Sequence, residues 1–264
     1  MAEDFTIEGF EEEVVVPVDD TQPVLGNLDV YADIVYCIDL TGSMHPIIQK
    51  VKETASTLHA DLQRVMQENY HRTIKQLRIK IIGFRDFYCD GSFALEKSEF
   101  FYLPEEEAEF KEFVNKLEAK GGGDIPENSL EALALAMQSD WCTTIDESIR
   151  KRHIIVLFTD ASAHPLEKGV DCTNPIYPEN MPKSYSELLD WWSGQGSLEN
   201  GTAVEMNQTA KRFALFAPEG SEPWTDISDD FDGCLTTFIE PDKGGIDITT
   251  KNLLKTLGET MAGG

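Results

Sequence analysis

The sequence predicts an α/β fold, a doubly wound, mainly parallel six-stranded sheet with helices on both faces and one antiparallel edge strand. Two observations predict it. Short, almost wholly apolar runs such as DIVYCID (33–39) and HIIVLFT (153–159) end in or just before a carboxylate, as strands buried on both faces do. Between such runs lie segments whose apolar residues recur at the period of an amphipathic helix. Strands alternating with helices imply crossover connections and a parallel sheet.

The chain opens with an acidic stretch. Residues 3–20 hold eight Asp or Glu and no Lys or Arg, so residues 1–29 read as a solvated arm ahead of a domain spanning 30–264. After the first strand and its DLTGS turn, Met44, Ile47, Ile48, Val51, Ala55, Leu58, Leu62, Val65 and Met66 mark one long helix. LRIKIIGF (77–84) is a second strand, and residues 98–103 form a shorter partner. Pro104 opens a helix with acids in its first turn, closed by the glycines at 121–123. A further helix runs from Pro126 to Gln138.

Beyond the strand at 153–159, residues 161–182 hold four prolines and no periodicity, which predicts a long loop insertion. SYSELLDWWSG and the stretch around Thr202 to Lys211 read as helical. The runs 212–218 and 234–240 read as the last strands, and Ile248 to Met261 as the closing helix. Trp191 and Trp192 are adjacent, so both cannot face one way; one is expected in the core and the other over a neighbouring loop or a partner, with core packing as the default.

Composition narrows the function classes. A net charge of −26 repels nucleic acid and anionic membrane, and favours basic partners and divalent cations. No run approaches the roughly 18–20 apolar residues of a membrane span. The N-terminus is acidic where a secretory signal is basic and then apolar. Five scattered cysteines suit reduced thiols better than a disulfide framework. Together these give the expectation of a cytoplasmic protein with no nucleic-acid or membrane partner.

Asp39 and Asp160 end two of the predicted strands, on the sheet edge where doubly wound folds bind ligands. DLTGS sets Asp39, Thr41 and Ser43 at alternate positions of a turn, with Gly42 supplying backbone freedom. Three hard oxygen donors suit Mg2+, with Ca2+ or Mn2+ as alternatives, and no soft ligand lies nearby in sequence for zinc. Each residue has a plainer role available. Ser43 could cap the helix that follows, Asp124 with Glu127 makes a capping-box pattern, and Asp160 could be a turn residue. Asp86, after the second strand, could reach the same edge but reads first as a turn residue or a partner of Arg85, and His45 and His164 read as surface or packing residues.

With GGGDIPE (121–127) and TDAS (159–162) at suitable distances, DLTGS resembles the DxSxS signature of the von Willebrand factor A family, with Thr41 in place of the first serine. The resemblance covers roughly residues 30–260. It implies a metal-ion-dependent adhesion site in which Asp160 matches an aspartate after the fourth strand. Asp124 stands where the family places a threonine, a variant of intracellular branches. The resemblance also implies a protein-interaction or scaffold domain, of the kind that serves bacterial stress-response systems or ATPase- and kinase-associated assemblies. Its protein partner would dock through an acidic or basic residue at the metal face. Three aspartates would bring more negative charge than a divalent ion cancels, which weakens the site for an incoming carboxylate.

No catalytic machinery is legible. A phosphohydrolase of the haloacid-dehalogenase type needs a second aspartate two residues after the first, and Thr41 stands there. No phosphate-binding glycine loop and no GxSxG elbow occurs. The expectation is a binding module and not an enzyme. A structural subunit with a resident metal is the remaining alternative.

Overall fold

The computed structural model describes residues 29–122, 125–143, 149–204 and 206–263. The strands are β1 (Asp29–Asp39), β2 (Ile74–Phe84), β3 (Leu95–Lys97), β4 (Phe101–Leu103), β5 (Ile149–Phe158), β6 (Lys211–Pro218) and β7 (Cys234–Ile239). The helices are α1 (His45–Thr54), α2 (Leu58–Tyr70), α3 (Glu107–Lys116), α4 (Ser129–Met137), α5 (Tyr185–Trp192), α6 (Trp224–Asp230) and α7 (Thr250–Ala262).

The sheet order is β3-β2-β1-β5-β6-β7, with β4 also on β2. Strands β2, β1, β5, β6 and β7 are all parallel, and the short β3 and β4 run antiparallel to β2. The predicted fold class is therefore what forms. The edge position given to one strand at 98–103 is shared by two. Ser98 explains the break: its hydroxyl accepts from Ile81 N at 3.0 Å, taking the place of a ladder carbonyl.

Strand side chains alternate between faces, and each face has its own apolar layer. Ile34, Tyr36 and Ile38 of β1 pack with α1, α2, α3 and α7. Val35 and Cys37 pack on the opposite side with α4, α5 and α6. Helices thus cover both faces, and β1 is buried throughout its second half.

The chain departs from its expected elements in three places. The long helix after DLTGS breaks at residues 55–57, where the Thr54 hydroxyl bonds back to Lys50 O and Val51 O and competes with the helix. The helix opened by Pro104 starts only at Glu107 and stops at Lys116. Residues 202–204 and 206–210 are not helical, because Asn207 Oδ1 draws Thr209 N and Ala210 N into a turn that leads into β6. Trp191 and Trp192 are both buried. The Trp192 ring stacks on Phe231, while its Nε1 donates to Asp232 Oδ1.

The acidic arm at 1–28 lies outside the described residues, and Asp29 already belongs to β1. Among the described residues no helix is long and apolar enough to cross a membrane, and all five cysteines are free thiols.

Candidate metal centre

Strand order reverses at β1, which has β2 on one side and β5 on the other. Loops beyond the carboxyl ends of β1 and β5 diverge there and leave a crevice. Asp39 is the last residue of β1, and Asp160 lies two residues past β5. A pocket of roughly 530 Å3 opens at this point, with Thr41, Ser43, Gly121, Gly122, Glu127, Asp160 and Asp242 in its wall.

Asp39 is fully buried. Its Oδ1 accepts from Thr41 N at 2.9 Å, and its Oδ2 accepts from the Thr159 hydroxyl at 2.9 Å. The Thr41 and Ser43 hydroxyl oxygens lie 3.5 Å apart. Ser43 Oγ donates to Asp160 Oδ1 at 2.9 Å, and Gly244 N donates to Asp160 Oδ2 at 2.7 Å. Ser43 makes no side-chain cap bond to the helix that follows, so its hydroxyl belongs to the site.

Two glycines permit this closeness. Gly122 has φ of +78°, and a Cβ there would lie 2.9 Å from Thr41 Cβ. Gly244 has φ of +57°, and a Cβ there would lie 2.1 Å from Ser43 O.

Burial pushes the Asp39 carboxyl up to about 6, with the neighbouring Asp160 charge adding to the rise; hydrogen bonds from Thr41 and Thr159 pull the other way. Asp160 is also raised by burial, against the lowering effect of Gly244 N–H and the Ser43 hydroxyl. Two carboxylates held out of water with two hydroxyls beside them suit a hard divalent cation, whose charge would restore their ionised state. Among the described residues no three His, Cys, Asp or Glu side chains converge as a metal site. An ion here would therefore draw on Asp39, Thr41, Ser43 and Asp160 as a mixed carboxylate and hydroxyl set completed by water. Asp124 lies outside the described residues.

Glu127, read from sequence as part of a capping-box pattern with Asp124, lines the pocket wall. Its backbone pairs with Ser162 O and His164 N, tying the loop before α4 to the one after β5. The α4 N-cap residue is Asn128, whose side chain makes no cap bond.

Behind the pocket lies a second polar cluster. Asp86 is fully buried and does not pair with Arg85. Its Oδ1 accepts from Tyr88 N at 2.6 Å, and its Oδ2 is 3.5 Å from His164 Nε2. Glu131, also fully buried, accepts from Asn128 Nδ2 at 2.9 Å and from the Tyr177 hydroxyl at 3.0 Å. The insertion thus straps over two buried carboxylates. Burial raises the Glu131 carboxyl to about 7, and the Asp86 charge adds to the rise.

Because the folded state holds this proton more tightly than the unfolded chain, its contribution to stability is present below about pH 4.5 and is lost as pH rises through about 7. Glu131→Gln keeps an acceptor for Asn128 and Tyr177 but removes the charge. It is expected to raise the unfolding free energy at pH 8 by about 2–3 kcal/mol and to change it little at pH 5. Urea denaturation of both proteins at the two pH values checks this; equal gains at both would contradict it.

Residues 97–174 match the family model described as von Willebrand factor A domain. The matched segment includes Asp124 and Asp160, while Asp39, Thr41 and Ser43 precede it. No curated protein matches the chain. Among solved structures it is similar to a von Willebrand factor type A protein from Catenulispora acidiphila, at 12% identity and a TM-score of 0.49, covering 88% of this chain and 43% of that one. It is similar to the pilus adhesin SpaC from Lactobacillus rhamnosus GG at 12% identity and a TM-score of 0.45, covering 89% and 32%. It is also similar to proximal thread matrix protein 1 from the mussel byssus, at 12% identity and a TM-score of 0.41, covering 89% and 49%. The chain spans less than half the length of each of these three. The matched segment is set in a mainly parallel sheet covered by helices on both faces, and over residues 97–174 the chain is similar to a von Willebrand factor A domain.

Proposed function

We propose that this chain is a metal-ion-dependent protein-interaction module that holds Mg2+ through Asp39, Thr41, Ser43 and Asp160 and catalyses no reaction. The observation that supports the reading best is the site itself. Two carboxylates raised by burial and two hydroxyls meet at an open pocket on the sheet edge where the strand order reverses. Two ionised carboxylates balance a divalent charge. Mn2+ fits the same donors, and Ca2+ asks for more oxygens than these four residues supply.

The non-catalytic part of the reading rests on Thr41. A phosphohydrolase built on a nucleophilic Asp39 needs an acid–base group in that position, and a threonine hydroxyl does not titrate in the working range. The proposed setting is a cytoplasmic assembly in which the domain docks a protein partner.

Calorimetric titration of Mg2+ into the wild type and Thr41→Ala tests the proposal. Heat that saturates in the wild type and is lost in the variant is the expected result, with no hydrolysis of p-nitrophenyl phosphate by either protein. A wild type without binding heat, or with Mg2+-dependent hydrolysis, would sink the reading.

A further inference from the structure

Exposed apolar side chains stand in the pocket wall and on the loops that bear on it. Among the described residues the four most exposed large hydrophobic side chains are Val170 at 78%, Ile246 at 66%, Ile125 at 59% and Phe93 at 58%; none of the others exceeds 45%. All four sit on loops beyond the carboxyl ends of the parallel strands, the edge that holds Asp39 and Asp160.

Their places around the pocket are fixed by contacts. Ile125 is in the pocket wall. Phe93 lies in the turn after β2, under the Lys120 ammonium at 4.7 Å, and that turn reaches the glycine loop through Asp90 Oδ2, which accepts from Gly122 N at 3.3 Å. On the other side, Ile246 belongs to the loop after β7, whose Gly244 N binds Asp160. Val170 is on the insertion, which Asn174 ties to Phe87 O and Gly91 O.

Between these side chains the pocket wall carries Glu127, Asp160 and Asp242 and no Lys or Arg. Charge then selects among occupants. At −26 a second copy of the chain would be repelled, as would nucleic acid or an anionic lipid surface. An acidic segment would meet the same repulsion unless the bound ion overcame it.

We propose that this rim is the docking surface for a protein segment that sets a lysine or arginine beside an apolar side chain, the apolar group on Ile125 and Ile246 and the cation on the Asp242 and Glu127 side of the pocket. The proposal rests on the interaction-module reading and deepens it by naming the chemistry of the partner. The exposed apolar side chains supply buried area in the contact, and the acidic wall sets its polarity.

A displayed library of random linear peptides, panned on the wild-type protein with Mg2+ and again with EDTA, tests it. Enriched peptides are expected to pair Lys or Arg with an adjacent apolar residue. Their affinity is expected to fall about tenfold or more in Ile125→Ser/Ile246→Ser and in Asp242→Asn. The control Leu235→Ser/Phe238→Ser, on exposed apolar residues of β7, should leave it unchanged. Enrichment of Asp- or Glu-bearing peptides, no enrichment, or affinity lost only in the control would overturn the proposal. Magnesium calorimetry on the same proteins separates the two readings. Normal metal binding without basic–apolar peptides removes the docking proposal alone, and the expected peptides without metal binding remove the metal alone.

Discussion

Asp39→Asn is expected to abolish Mg2+ binding while making the metal-free protein more stable above pH 6. Both effects follow from one buried carboxylate. An asparagine oxygen still accepts from Thr41 N, and the Thr159 hydroxyl can turn to accept from the amide. The charge that would face the cation is gone, which should lower metal affinity by on the order of a hundredfold or more. In the metal-free protein that charge is a cost. Burial holds the Asp39 carboxyl up to about 6 against an ordinary 3.8, so its favourable contribution is present at low pH and is lost as pH rises through about 6. The variant should therefore gain about 2–3 kcal/mol at pH 7.5 without metal and nothing at pH 3.5. Chemical denaturation of both proteins in EDTA and in excess Mg2+ reads the result. A variant less stable than wild type in EDTA at pH 7.5 would mean that Asp39 is a structural anchor rather than a metal ligand.

Arg85→Met is expected to cost about 3–5 kcal/mol and to lower Tm by about 10 °C. The guanidinium is wholly buried and satisfies the loops around the site at once. Nε donates to Leu40 O at 3.1 Å and Lys120 O at 2.8 Å, Nη2 to Glu118 O at 2.8 Å, and Nη1 to Glu96 Oε1 at 2.9 Å and to Phe93 O. A methionine fills much of the volume but leaves the half-buried carbonyls of Phe93, Glu118 and Lys120 without this donor, and Leu40 O with Lys120 N alone. Because Gly42 N also bonds Gly121 O, loosening the 118–121 loop disturbs the turn that carries Thr41 and Ser43. Metal affinity should fall along with stability. Arg85→Lys should recover little, since one ammonium cannot reach a set of acceptors spread around a planar fork. Thermal denaturation of the three proteins decides it: a Tm within about 2 °C of wild type for Arg85→Met would show that the carbonyls find other donors.

The sheet was legible because its signal is long and repeated. Apolar runs ending in Asp39 and before Asp160 locate two central strands and, with them, the edge where a ligand binds. The Ser43–Asp160 hydrogen bond across 117 residues could be anticipated from topology alone. Shorter features were not. Helix α6 offers only Trp224 and Ile227 as buried apolar positions, too few to show a period. The helix break at residues 55–57 turns on which carbonyl a threonine hydroxyl chooses, a matter of tertiary packing. The role of Arg85 was hidden by its neighbour. Asp86 looks like its partner in sequence, yet adjacent residues of an extended chain point to opposite sides, so Arg85 meets the 118–120 loop while Asp86 meets His164. Glu131 and Tyr177 form their bond only because the insertion folds back over α4, and nothing in either segment alone announces it.

The most direct measurement is the anomalous difference map of a crystal of the full chain soaked in Mn2+. One strong peak bounded by Asp39, Thr41, Ser43 and Asp160, and absent from Asp39→Asn crystals, is the expected result. A map without a peak there, or with its peak at the Asp86–Glu131 cluster, would contradict it.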